Sequence, residues 1–150
     1  MSGEFFFDTT VLIYAVARND PRAEIAEELL AKGGTISVQV LNEFVSVARR
    51  KLRMPWEEVV EALAAIRELC AEPVAITIDT HDAALMIAQR YGFHIYDSLI
   101  VAAAIESKCT TLYSEDLQHR QTIGSVTIHN PFRSGKVRKP LSLRKPAPPQ

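Results

Sequence analysis

The 150-residue chain has only two cysteines, Cys70 and Cys109, 39 positions apart and in no CxxC or Cys/His spacing. Neither a structural zinc site nor a disulfide framework organises such a chain, and buried thiols in a cytoplasmic protein are expected. The four histidines, His81, His94, His119 and His129, never fall at HxxxH or HExxH spacing, which argues against a histidine metal centre or a histidine general base. No GxGxxG or Walker sequence is present, so nothing points to a nucleotide cofactor. Apolar runs are short, and no basic segment followed by an apolar one opens the chain. Neither a membrane span nor a signal peptide is predicted, and the protein is expected to be soluble and cytoplasmic.

Charge of one sign is missing from the last stretch. All 18 acidic residues lie in 1–132, with 11 of the 17 basic ones, which gives that part a net charge of −7. Residues 133–150 carry 6 basic residues, no acidic one and four prolines. An acidic body is not a generic nucleic-acid binder, because phosphate affinity normally comes from Lys and Arg spread over the contact surface. If it meets phosphates, cations must intervene. The length suits one domain, 1–132, with 133–150 read as a basic, proline-rich, disordered tail. No internal repeat is visible.

Residues 5–7 read as a buried strand and 11–16 as a short helix. Asp20-Pro21 and Gly33-Gly34 bracket a helix over 21–32. A brief strand is predicted at 35–37. The apolar rows Val38, Leu41, Val45, Ala48, Leu52 and Val59, Leu63, Ile66, Leu69 mark two more helices, the second opened by Pro55. Residues 74–78 alternate into β-branched side chains and predict a second buried strand, with Thr80 capping a helix that Gly92 stops. SLIVAAAI at 98–105 is apolar on every side, as in a helix packed between layers. Strands follow at 111–113 and 126–128. Strands alternating with helices imply an α/β fold, a parallel sheet covered on both faces.

Four carboxylates do not fit a solvated surface. Asp8 follows three phenylalanines, Glu43 interrupts the apolar strip of Val40 and Val47, Asp97 abuts the apolar helix, and Asp116 follows the strand TLYS. Singly, each has an ordinary reading: Asp8 and Asp97 as helix caps, Glu43 as a snorkelling surface residue, Asp116 as a turn residue. Together they are harder to dismiss, because buried carboxylates need a compensating partner and no Lys or Arg lies within three residues of any of them. A divalent cation would compensate. Mg²⁺ and Mn²⁺ favour oxygen ligands and keep several waters, and such a centre suits phosphodiester hydrolysis.

FFFDTTVLIYA at the start, LNEF around Glu43, YDSLIVAAA around Asp97 and LYSEDLQH around Asp116, closed by IHNPF, resemble in order and context the PIN-domain ribonucleases, especially the VapC-like toxins of toxin–antitoxin pairs. The resemblance runs from about Phe5 to Phe132. It implies a three-layer α/β/α sandwich on a parallel sheet, an acidic site of Asp8, Glu43, Asp97 and Asp116 binding Mg²⁺ or Mn²⁺, and cleavage of RNA. In that reading Asp8, Asp97 and Asp116 hold the metal, Glu43 holds a metal water or helps deprotonate the nucleophile, and Thr10 and Ser114 support the site. It further implies a homodimer and a cognate antitoxin. Two features depart from the family pattern: Arg120 stands where a glycine is common, and the basic tail is additional. The rivals are a non-catalytic PIN-like module acting through a protein partner, and a flavodoxin-like phosphoacceptor domain, which the helix-borne Glu43 and Asp97 fit poorly. Trp56, beside Pro55, reads as a packing residue or part of an interface.

Overall fold

The computed structural model describes residues 4–133. Apart from Arg133, the tail read as disordered lies outside them. Three short stretches of the core sheet run parallel: β1 (Phe5–Phe7), β2 (Thr111–Tyr113) and β4 (Val126–His129), with β3 (Thr122–Ile123) antiparallel on the outer edge, in the order β1-β2-β4-β3. Phe6 pairs with Leu112 and Leu112 with Ile128, so a row of buried apolar residues crosses the sheet. Helices α1 (Thr9–Val16), α2 (Arg22–Ala31), α3 (Val38–Arg50), α4 (Trp56–Leu69), α5 (Ile78–Tyr91) and α6 (Ile95–Glu106) complete the predicted three-layer α/β/α arrangement. The α6 helix is the deepest: every residue from Ser98 to Ala104 is buried, as its all-round apolar sequence requires.

The chain departs from the sequence reading at several points. Residues 35–37 are not a full strand, but bridge Phe6 through Thr35 and Val74 through Ser37. The strand predicted over 74–78 is absent beyond Val74; Ile76 and Ile78 are 40% and 72% exposed. Helix capping prevails over β-branched composition there. The Thr77 hydroxyl accepts from Thr80 N while the Thr80 hydroxyl accepts from Thr77 N, a reciprocal box that starts α5 at Ile78. Thr77, not Thr80, is therefore the cap, and Gly92 ends the helix in the left-handed conformation as expected. Trp56 is not packed into the core: it is 57% exposed, with the Arg49 guanidinium 4.5 Å from its ring centroid. Both cysteines are free, Cys109 buried and Cys70 half-buried.

Two backbone positions explain residue choice. A Cβ on Gly34 would stand 2.6 Å from the Phe7 ring, so only glycine lets the chain pass beside β1. Arg120 sits at φ 75°, the left-handed region. A glycine there is the unstrained choice, which accounts for the one that the resemblance leads one to expect. Arg120→Gly should raise stability by about 0.5–1 kcal/mol, the left-handed penalty less the backbone entropy of glycine, read as an increase in thermal midpoint.

Candidate active site

The first turn of the fold fixes the first carboxylate. Asp8 ends β1, and its backbone N–H bonds to the Tyr113 carbonyl, which ties it to the same edge of the sheet as β2. It is at once the cap of α1 and the buried acid of the site. One carboxylate oxygen accepts from Thr9 N at 2.6 Å, and the other accepts from the Ser114 hydroxyl at 2.6 Å. Burial pushes its pKa up to about 7 against these two hydrogen bonds, and the charges of Asp116 and Asp97 push in the same direction.

The Ser114 hydroxyl also accepts from the backbone N–H groups of Asp116 and Leu117, at 3.2 and 3.3 Å. A single buried oxygen thus ties the turn bearing Asp116 to Asp8. The Thr10 hydroxyl accepts from Glu115 N at 3.2 Å and holds the same turn from the α1 side. Ser114→Ala should cost about 1–3 kcal/mol, since it strands a buried carboxylate oxygen and two N–H groups. It should also move the Asp8 carboxyl further up, because a hydrogen bond that lowers its pKa is lost. Denaturant unfolding of the two proteins measures the first effect.

Glu43, half-buried on α3, is held at both oxygens. The Thr9 hydroxyl donates to one and the Gln39 amide to the other, each at 2.9 Å. Asp97 lies within the first turn of α6 rather than before it. The cap there is His94, whose ring nitrogen accepts from Tyr96 N. The cap reading of Asp97 is thereby overturned. Among the described residues neither Asp97 nor Asp116 has a side-chain hydrogen bond. Partial burial raises the Asp97 carboxyl, followed by Glu43 and Asp116, with His94 opposing. Asp116 is exposed as a residue, yet its carboxyl is also raised, first by loss of solvent and then by Glu115 and Glu43, with Lys51 opposing.

The four predicted acids therefore share one electrostatic neighbourhood although they come from two helices, a strand end and a turn. Two of them, Asp8 and Glu43, are clamped by hydrogen bonds, and two, Asp97 and Asp116, are free. As the side chains stand, no group of three Asp, Glu, His or Cys among the described residues is arranged to grip a metal ion. The donor set is nevertheless all hard oxygen, which suits Mg²⁺ or Mn²⁺, and the mutual repulsion is the condition a cation would relieve.

Residues not anticipated from the sequence surround the acids. Thr9 and Gln39 orient Glu43; Gln39, four residues before it, was findable from helical spacing. Farther out, the Tyr14 hydroxyl donates to Glu115, and the Arg22 guanidinium bonds to Tyr14, Glu115 and Asp20 while lying 4.0 Å from the Tyr14 ring centroid. Burial and the Glu115 bond push the Tyr14 hydroxyl up to about 12, so it stays a donor.

A parallel α/β sheet with acids gathered at its strand ends defines a class of open-sheet proteins whose sites lie at that edge. The PIN domain family model matches residues 5–124, and the chain belongs to that family. Three solved structures show similar folds. VapC20 of Mycobacterium tuberculosis, a sarcin–ricin loop cleaving toxin, is 21% identical, with a TM-score of 0.63 over 75% of this chain and 90% of that one. A toxin–antitoxin complex from Klebsiella pneumoniae is 19% identical, with a TM-score of 0.65 over 85% and 98%. VapBC2 of Rickettsia felis, bound to a DNA fragment from their promoter, is 21% identical, with a TM-score of 0.59 over 84% and 97%. At these identities the likeness is one of fold. No curated protein sequence matches the chain. No helix among the described residues is long and apolar enough to cross a membrane.

Proposed function

We propose that this protein is a metal-dependent endoribonuclease, the toxin of a toxin–antitoxin pair, with 1–132 as its nuclease domain. The observation that carries the reading is the convergence of Asp8, Glu43, Asp97 and Asp116 at the sheet edge, where burial first, and then the charges of Glu43, Asp97 and Asp116, raise the carboxyls of Asp8, Asp97 and Asp116. Membership of the PIN family and folds shared with VapC toxins support it.

Asp97 and Asp116, whose side chains make no hydrogen bond among the described residues, would hold Mg²⁺ or Mn²⁺ together with Asp8, with water completing the shell. Such an ion supplies a water of lowered pKa and charge neutralisation at the phosphate. The chain's own residues do the rest. Ser114 and Thr9 N keep the Asp8 carboxylate in place, Thr10 and Ser114 hold the Asp116 turn, and Glu43, oriented by Thr9 and Gln39, accepts a proton from water beside the phosphorus. A homodimer and a cognate antitoxin belong to the same reading.

The test is cleavage of a mixed pool of cellular RNAs by purified protein freed of any co-purifying inhibitor, with Mg²⁺ or Mn²⁺ and with chelator. Discrete fragments that vanish with chelator are expected. No cleavage by folded protein in any lane would move the assignment to a non-catalytic PIN-like module working through a protein partner.

A further inference from the structure

We propose that the cavity between the C-terminal ends of α1 and α3 and the start of α4 seats a backbone phosphate of the RNA strand, two turns of α3 away from the acidic site; this rests on the ribonuclease reading above. The cavity has a volume of about 590 Å³ and is lined by Arg18, Lys51, Arg53 and Glu58, among others. Three cations thus face one carboxylate, in a body whose residues 1–132 carry a net charge of −7.

None of the three cations is spent on the fold. Arg18, Lys51 and Arg53 are exposed, and among the described residues none makes an ion pair or a side-chain hydrogen bond. Arg22 and Arg49, by contrast, are occupied by Asp20, Glu115 and Tyr14 and by Trp56 respectively. The helix dipole is a sufficient reason for Lys51, which follows the last turn of α3. It does not account for Arg18, beyond the end of α1, or for Arg53, in the loop before α4, meeting Lys51 at one cavity.

Position decides what such a cavity would take. Lys51 caps the C-terminal end of α3 eight residues after Glu43, about 12 Å along the same helix, so the wall of the cavity stands some two helical turns from the acidic cluster. An acidic site gives no affinity for a polyanion by itself. Binding of a single strand draws on Lys and Arg that follow its backbone away from the point of cleavage.

The experiment is the triple neutral variant Arg18→Gln/Lys51→Gln/Arg53→Gln in the full chain, with folding checked by circular dichroism and thermal unfolding. Binding of a short fluorescent single-stranded RNA is measured in the Asp97→Asn background over a range of salt, and cleavage in the Asp97 parent. The expected result is a Kd raised about tenfold or more at low salt. The slope of log K against log salt should be shallower by about 2, from three lost contacts at about 0.7 each. KM should rise while kcat stays within about twofold. An unchanged Kd and slope, with cleavage intact, would overturn the phosphate seat and leave the nuclease standing. Loss of a co-purifying acidic protein partner with unchanged RNA affinity would also overturn it, in favour of a protein seat. A parent protein that neither binds nor cuts RNA would sink both readings.

Discussion

Asp97→Asn is expected to abolish RNA cleavage, by about a thousandfold or more and thus at least about 4 kcal/mol of transition-state stabilisation, without lowering the stability of the fold. The asymmetry follows from where Asp97 stands. It makes no side-chain hydrogen bond among the described residues, so no hydrogen bond is lost when one oxygen becomes an amide. Its carboxyl is raised by partial burial and by Glu43 and Asp116, so an uncharged isostere relieves repulsion that the apo fold otherwise carries. One favourable interaction is lost, between the carboxylate and the N-terminal dipole of α6, and it is modest at a half-exposed site. Thermal unfolding and cleavage rates of proteins purified identically give both quantities. A variant that cuts RNA at the parent rate would remove Asp97 from the machinery. One that loses activity only because it unfolds would leave the role of Asp97 to be sought in packing.

The acids could be read from the sequence because each interrupts a pattern: Asp8 ends a phenylalanine run, Glu43 breaks an apolar strip, and Asp97 opens an otherwise apolar helix. Their partners could not. Ser114 and Asp8 are 106 positions apart, Thr9 and Glu43 are 34 apart, and Arg22 reaches Glu115 across 93. The first of these meetings is set by the parallel register of β1 on β2 and the others draw on the packing of α1 against α3 and α2, none of which periodicity encodes. The same limit explains the misread segment after Val74. Its β-branched residues suit a pleated surface, but two threonines three apart close a capping box, and the helix takes the residues that a strand would have used. The β3 strand escaped notice because two residues and a turn at Gly124, φ 60°, leave no period to detect. Cap and site candidate are not exclusive readings of Asp8. A carboxylate that ends a strand and starts a helix caps with one oxygen and turns the other to Ser114 at the sheet edge.

The stability of the metal-free protein should fall as pH rises from 5 to 8, and Asp8→Asn should remove most of that fall. Burial holds the Asp8 pKa at about 7 in the fold, against 3.8 for an ordinary aspartate. The folded state therefore binds this proton more tightly than the unfolded chain does. The stabilisation is fully present below pH 3.8 and is lost as pH rises through about 7. Complete loss corresponds to about 4 kcal/mol, an upper figure because neighbouring groups titrate with it. Asp97 and Asp116 are raised too and add in the same direction, while Asp20, lowered by Arg22, gives a stabilisation that changes only below pH 3.8 and leaves this range untouched. Asparagine at position 8 can still accept from Thr9 N through its one oxygen while its amide N–H donates to the Ser114 oxygen, so the cap survives and the cost of ionisation disappears. At pH 8 the variant should be the more stable protein and the inactive one. Mg²⁺ or Mn²⁺ should then raise the thermal midpoint of the parent at pH 8 far more than at pH 5.5, where Asp8 keeps its proton, and should do less for the variant at either pH. Parallel pH profiles for the two proteins would mean that Asp8 ionises like a surface carboxylate, and a metal response indifferent to pH would mean that the ion is held without it.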